Sequence, residues 1–185
     1  MHLIYQDKYK ELKLIPFFRL RDSRYIIYWP IETPERISEM QKKSAADEAS
    51  RQQLAAATLD LITPGEQQPE SDHFIESENS LTGVNLNKYW RDATGWFSYK
   101  MKDDNKVAGS LRIAYCSKDK GRKFSIQINN ETIADVALNG IEGQEFYSVD
   151  YSIPETLLKQ SNGVLTVKFI AEKESLAGGM YEVRL

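Results

Sequence analysis

Over residues 73–185, short runs in which every second side chain is apolar are each closed by a turn signal, and that pattern admits few folds. Along an extended backbone successive side chains point to opposite faces, so such a run is a strand with one buried face. Phe97, Tyr99 and Met101 form one such face against Trp96, Ser98 and Lys100. The pattern recurs in Leu111, Ile113 and Tyr115; Phe124, Ile126 and Ile128; Ala134, Val136 and Leu138; Tyr147, Val149 and Tyr151; Leu165, Val167 and Phe169; and Tyr181, Val183 and Leu185. Each triplet is read as one inward face. Lys120-Gly121, Asn129-Asn130, Asn139-Gly140, Ser161-Asn162-Gly163 and Gly178-Gly179 supply the turns. The spacing predicts a mainly β chain, with an antiparallel β-sandwich, jelly-roll-like, over 73–185 and a single helical turn near 154–158.

Upstream the pattern changes. Residues 12–30 predict a β-hairpin turning at Arg21-Asp22-Ser23, in whose second strand Tyr25, Ile27 and Trp29 face one way and Ile26 and Tyr28 the other. Both faces are apolar, and a two-stranded ribbon alone is marginal in water. Residues 1–32 are therefore expected to be the remnant of an upstream β-sandwich in a longer protein, seeking cover by folding onto the sandwich or by self-association through the hairpin. Thr33-Pro34-Glu35 supplies a hydroxyl cap, a proline at the first helical position and an acid near the positive end of the dipole. It predicts a long helix over 33–62, running to about Leu59 and docked at its ends through Ile37, Met40, Leu54 and Leu59. Pro64-Gly65 and Pro69 predict a linker over 63–72.

Several function classes are excluded by composition. Lysine and arginine number 24 against 27 acids, a formal charge of -3, so no long-range field invites nucleic acid or an anionic membrane. The longest apolar runs, such as 26–29, fall far short of the ~20 residues of a membrane helix. Cys116 is the one cysteine, so no internal disulfide forms, and His2 and His73 stand far apart with no cysteine cluster, which argues against a zinc site. No pair of carboxylates is singled out for glycoside hydrolysis, no nucleophile elbow accompanies a histidine, and no glycine-rich loop opens a helix to cradle phosphate. No cofactor is expected.

An aromatic platform remains as candidate chemistry. A sugar ring presents an apolar face that stacks on tryptophan or tyrosine while nearby polar side chains satisfy its hydroxyls. Tyr89-Trp90-Arg91-Asp92 with Trp96 supplies those types within eight residues, and Trp90, Arg91, Asp92 and Trp96 are the candidate ligand-binding residues. The competing reading makes both tryptophans packing aromatics and pairs Arg91 with an acid. Glu76-Ser77-Glu78-Asn79 resembles the acidic opening strand of several carbohydrate-binding jelly rolls, where a glutamate can hold a structural calcium, but no matching aspartate cluster follows.

Three stretches resemble a known family. They are 14–29 (Leu14-Ile15-Pro16-Phe17-Phe18-Arg19 through Ile26-Ile27-Tyr28-Trp29), 64–73 (Pro64-Gly65-Glu66-Gln67-Gln68-Pro69 to His73) and Gly95-Trp96-Phe97-Ser98-Tyr99. Together with the closing 167–171 and 177–185, they are similar to the C-terminal part of the β-L-arabinofuranosidase-type glycoside hydrolases, family 127 and its relatives. The resemblance implies an upstream (α/α)6 barrel carrying an acid/base glutamate and a zinc-bound cysteine nucleophile, followed by β-sandwich domains. None of the barrel is in this sequence, and Cys116 lacks the companion cysteines, so no catalytic residue transfers. The expectation is a noncatalytic C-terminal accessory domain that supports the catalytic domain of a parent enzyme. Its alternative is a carbohydrate-binding module using surface tryptophans on a plant or host glycan. Periplasmic or secreted location of the parent follows from the resemblance alone.

Overall fold

The computed structural model describes residues 32–185. The predicted hairpin at 12–30, with its self-association, lies outside the described residues. The chain divides into two units, 1–48 and 49–185. Helix α1 (Pro34–Ala57) begins where the cap predicts: Thr33 Oγ1 accepts from the amide of Arg36 at 3.3 Å, and Glu35 sits in the first turn. None of its residues is buried, and Met40, expected to dock one end, is 56% exposed.

After α1 come β1 (Leu61–Ile62), α2 (Gln67–Asp72), β2 (Glu76–Asn85), β3 (Lys88–Lys102), β4 (Ser110–Cys116), β5 (Lys120–Ile128) and β6 (Glu131–Asn139). Then follow β7 (Phe146–Ser152), α3 (Glu155–Gln160), β8 (Val164–Ala171) and β9 (Ala177–Arg184). All pairings are antiparallel. The long β3 is the hinge of the design. One of its edges carries β2; the other pairs first with β9 through 91–93 and then with β8 through 96–102. From that fork one layer continues β9-β4-β7 and the other β8-β5-β6, giving the antiparallel sandwich that the alternation predicts.

A β-bulge makes the fork possible. Between the pairs Glu78–Trp96 and Ser80–Ala93, β3 carries one residue more than β2, which bends the strand and raises its twist. Gly95 occupies the bend because a Cβ there would stand 2.5 Å from the carbonyl oxygen of Glu78. The core between the layers is built from the predicted faces: Phe97, Tyr99, Met101, Leu111, Ile113, Tyr115, Phe124, Ile126, Ile128, Leu165, Val167 and Phe169 are all fully buried. Truncating any of the leucines or isoleucines among them should cost about 2–5 kcal/mol.

Three local expectations differ from the structure. The Pro/Gly stretch 63–72 is not a spacer: it holds α2, and Glu70 within it is 5% exposed, while β1 before it already pairs with β9. Gly178-Gly179 is not a turn between strands. It lies inside β9, where Arg91 faces Met180 and Asp92 faces Gly178, leaving Gly179 bulged. Tyr181 does not share the inward face of Val183 and Leu185. A second bulge, between the pairs Ala114–Glu182 and Tyr115–Met180, shifts the alternation and places Tyr181 in a separate cluster with Ala114 and Cys116.

Candidate functional site

Of the residues singled out by composition, Arg91 and Asp92 are used internally. Arg91 is 12% exposed at its side chain and donates from Nε to Glu70 Oε1 at 2.5 Å and from Nη2 to Glu70 Oε2 at 2.7 Å. Its Nη1 donates to Ser80 Oγ at 2.8 Å. Asp92 is 10% exposed and accepts from Arg122 Nη1 at 3.2 Å, while Arg122 Nη2 reaches Asp119 Oδ1 at 2.9 Å. Burial raises the Asp92 carboxyl above the usual range, and the guanidinium of Arg122 pulls it back. A ligand would have to break these pairs, so neither residue is free to bind one.

The tryptophans do not form one platform. Trp96 is half-buried on the outer face of the β2–β3–β8 layer, where its Nε1 donates to Glu78 Oε2 at 2.9 Å and the Lys168 ammonium stands 3.7 Å from the ring centroid. A surface cation and a carboxylate thus occupy its polar edge and one face. Glu78, the residue considered for calcium, serves the indole instead. Trp90 lies six residues earlier, about 20 Å along a strand. It packs over Gly83, whose added Cβ would meet the indole at 2.6 Å, and against Ala114, Cys116 and Tyr181.

Beside Trp90 the structure opens a cleft of about 530 Å³ on the outer face of β3, β4, β7 and β9. Its floor is Ala114 and Tyr181, both nearly buried although they point away from the core. Ala114 pairs with Ser148 on one side and Glu182 on the other, and these short or outward-reaching neighbours leave the depression unfilled. Phe146 forms one wall, packed edge-on to Tyr181 at 4.8 Å between centroids and capped by the Lys88 ammonium at 4.5 Å. Tyr89, 45% exposed, completes the aromatic lining, while Tyr147 borders the cleft but packs on the core cluster, its ring 5.7 Å from that of Tyr115. Gln144, Asn87 and Glu66 stand at the rim as donors and acceptors.

Electrostatics keep the cleft's phenols neutral. Burial pushes the Tyr181 hydroxyl above the ordinary tyrosine value, although Asn85 Nδ2 donates to it at 3.1 Å. Burial, then the Asp119 carboxylate, raises Tyr147 likewise. Both remain protonated hydroxyls at neutral pH. Exposed aromatic side chains set among more numerous polar groups, Thr63, Glu66, Asn87, Lys88, Gln144, Ser148 and Glu182, suit a partly apolar, multiply hydroxylated ring. The sequence pattern puts Tyr89 beside the candidate residues and assigns Tyr147 and Tyr181 to inward faces, and it does not single out Phe146. The signal available was a small alanine in β4 between large neighbours.

Among solved structures the fold resembles a family 35 carbohydrate-binding module from an environmental isolate, with a TM-score of 0.51 and 13% identity over 67% of this chain and 90% of that one. A family 35 carbohydrate-binding module from Clostridium thermocellum matches at a TM-score of 0.45 and 13% identity, over 67% of this chain and 95% of that one. The ANX1 ectodomain from Arabidopsis thaliana matches at 0.49 and 12% identity, over 67% of this chain and 40% of that one. At such identity the first match speaks for the fold alone. No curated protein matches the sequence significantly. The family model that does match covers residues 53–185, from the last turns of α1 through β9, so it takes in every strand of the sandwich: the chain belongs to DUF6805, a family of unknown function.

Proposed function

We propose that this chain is a noncatalytic glycan-binding module, an accessory to a catalytic domain of a longer parent protein. The observation that carries the reading is the cleft of Tyr89 and Phe146 over Ala114 and Tyr181. A pyranose or furanose unit would lay its C–H face on the aromatic walls and give its hydroxyls to Asn87, Gln144 and Glu66. The sandwich's likeness to a carbohydrate-binding module supports the reading at the level of fold. The binding residues then differ from the surface tryptophans first expected, since Trp96 is engaged with Glu78 and Lys168.

Titration with arabinose- and galactose-containing oligosaccharides, followed by calorimetry and by the fluorescence of neighbouring Trp90, tests it. Tyr89→Ala should weaken binding at least ~10-fold, the loss of one stacking aromatic. Ala114→Leu, which fills the depression without touching the core, should abolish it. Silence of the wild type across the panel, or binding indifferent to both changes, would refute the reading.

A structural role beside a catalytic domain has its own observation. Leu81, Val84 and Leu86 on the β2–β3 hairpin are 70%, 58% and 48% exposed; Leu81 and Val84 stand on opposite faces of the edge strand β2 and Leu86 at its turn, so the hairpin presents apolar groups on both sides. If this hairpin inserts against a catalytic domain of glycoside hydrolase type, Leu81→Ser with Val84→Ser should lower that domain's melting temperature in the parent protein. An unchanged melting temperature would sink this role.

A further inference from the structure

We propose that the cleft headed by Phe74 is a second saccharide-binding site, with Phe74 as its stacking platform. It takes its ligand class from the glycan-binding reading above and uses none of the residues of the first cleft.

Phe74 occupies a position that its side chain makes costly twice over. Helix α2 ends in a double hydrogen bond in which the amide of Phe74 donates to the carbonyl of Ser71 at 3.1 Å and that of Ile75 to the carbonyl of Glu70 at 3.0 Å. This is the closure in which the residue after the cap takes a left-handed conformation, and glycine is the usual occupant. Phe74 has φ of +51°, unfavourable for a bulky side chain. Its ring is also 63% exposed, so the strain is not offset by burial in the core; the next residue, Ile75, makes the core contact. A glycine here would relieve both costs. A strained and solvent-facing aromatic at the mouth of a cleft is accounted for when something covers it.

The cleft is built to cover it with a hydroxylated ring. It measures about 700 Å³ and is walled by the ends of β3 and β8, the β5–β6 turn and the segment after α3. Lys100 and Lys102 line it from β3, and neither ammonium pairs with a carboxylate among the described residues. The Lys100 ammonium stands 5.3 Å from the Phe74 ring centroid, leaving most of the ring in solvent. Gln160 and Asn162 bring amides, each both donor and acceptor, and Glu131 brings an acceptor. Paired donors and acceptors around one exposed ring suit sugar hydroxyls, which both donate and accept, better than an apolar ligand or a simple anion. With a site on each of two clefts, one module would hold a polysaccharide at two points and gain by effective concentration.

The test uses the whole chain and the same arabino- and galacto-oligosaccharides. Calorimetry on the wild type should give two sites, one of them lost in Phe74→Gly and in Phe74→Asn, weakened at least ~10-fold, and kept in Phe74→Tyr. Because Phe74 is exposed, Phe74→Gly should fold, and its melting temperature should rise by about 2–4 °C as the left-handed strain is released. A gain in stability coupled to a loss of binding is the signature that a merely structural phenylalanine would not give. One site, abolished by Ala114→Leu and untouched by Phe74→Gly, would overturn this inference and leave the first cleft standing. A wild type that binds nothing on the panel would overturn both.

Discussion

Removal of the Glu70 carboxylate should unfasten α2 from the sandwich. Glu70 and Arg91 are 6% and 12% exposed at their side chains and form a two-pronged pair. Glu70 Oε1 also accepts from the hydroxyl of Tyr99 at 2.8 Å and from the amide of Gly65 at 2.9 Å. Tyr99 is fully buried. Glu70→Ala therefore strands a guanidinium and a phenol out of water. Breaking a buried pair from one side costs about 3–5 kcal/mol, and an orphaned buried hydroxyl ~1–3 kcal/mol more, the two overlapping because they share one carboxylate. The expected loss is about 4 kcal/mol, read by urea unfolding followed through tryptophan fluorescence. Glu70→Leu combined with Arg91→Met should recover most of it, since an apolar pair of similar volume needs no desolvation.

The acid limb supplies an independent check on the same residue. Burial pushes the Glu70 carboxyl up, but hydrogen bonds from Arg91, the Gly65 amide and Tyr99 outweigh it and hold the group below the ordinary carboxylate range. A depressed folded-state value means that the contribution is present above the unfolded pKa, about 4.3 for a glutamate, and is lost as pH falls through the folded one. Wild type should lose stability below about pH 4 more steeply than Glu70→Ala does. A loss under ~1 kcal/mol at neutral pH, with parallel acid limbs, would refute the reasoning and return residues 63–72 to the status of a loose linker.

Three shorter expectations follow from other parts of the fold. Asp119 is the opposite case of pH dependence: burial raises its carboxyl, the Arg122 guanidinium pulls it back only in part, neighbouring Asp92 adds to the rise, and its Oδ2 has no hydrogen-bond partner among the described residues. The penalty on its charged form is full above the folded pKa and relieved as pH falls, so Asp119→Asn should be as stable as wild type or more so, by on the order of 0.5–1 kcal/mol, at pH 7, with the gap closing toward pH 4 in chemical unfolding; a clear loss at pH 7 would contradict this. Gly95→Ala should cost about 2 kcal/mol in a thermal melt, because its Cβ would press on the Glu78 carbonyl oxygen at 2.5 Å, and an unchanged melt would mean the bulge yields freely. Trp96→Ala should cost about 1 kcal/mol through its contacts with Glu78 and Lys168 and leave oligosaccharide affinity unchanged, whereas lost affinity would restore Trp96 as the binding residue.

The strands, their buried faces and the start of the long helix were legible in the residues because each depends on neighbours in sequence. A period of two along an extended backbone commits Phe124, Ile126 and Ile128, or Leu165, Val167 and Phe169, to one side whatever the rest of the chain does. Thr33 and Pro34 act on the first turn they precede. The candidate site was legible only as a residue type, aromatic beside polar. Which aromatics take part was decided by tertiary structure, because bulges break the period where two strands of different local length must stay paired. That is why Tyr181 left the core face for the cleft floor; Trp90 and Trp96 stay apart because six residues of extended strand separate them. Partner choice was equally nonlocal. Arg91 meets Glu70 across 21 residues and Asp92 meets Arg122 across 30, distances over which only the register of the sheets brings charges together. The same closure of α2 onto β3 decides that Glu70 is buried and Phe74 exposed. Local sequence set which faces are apolar; the long-range pairing of strands settled which polar and aromatic groups were left at the surface clefts.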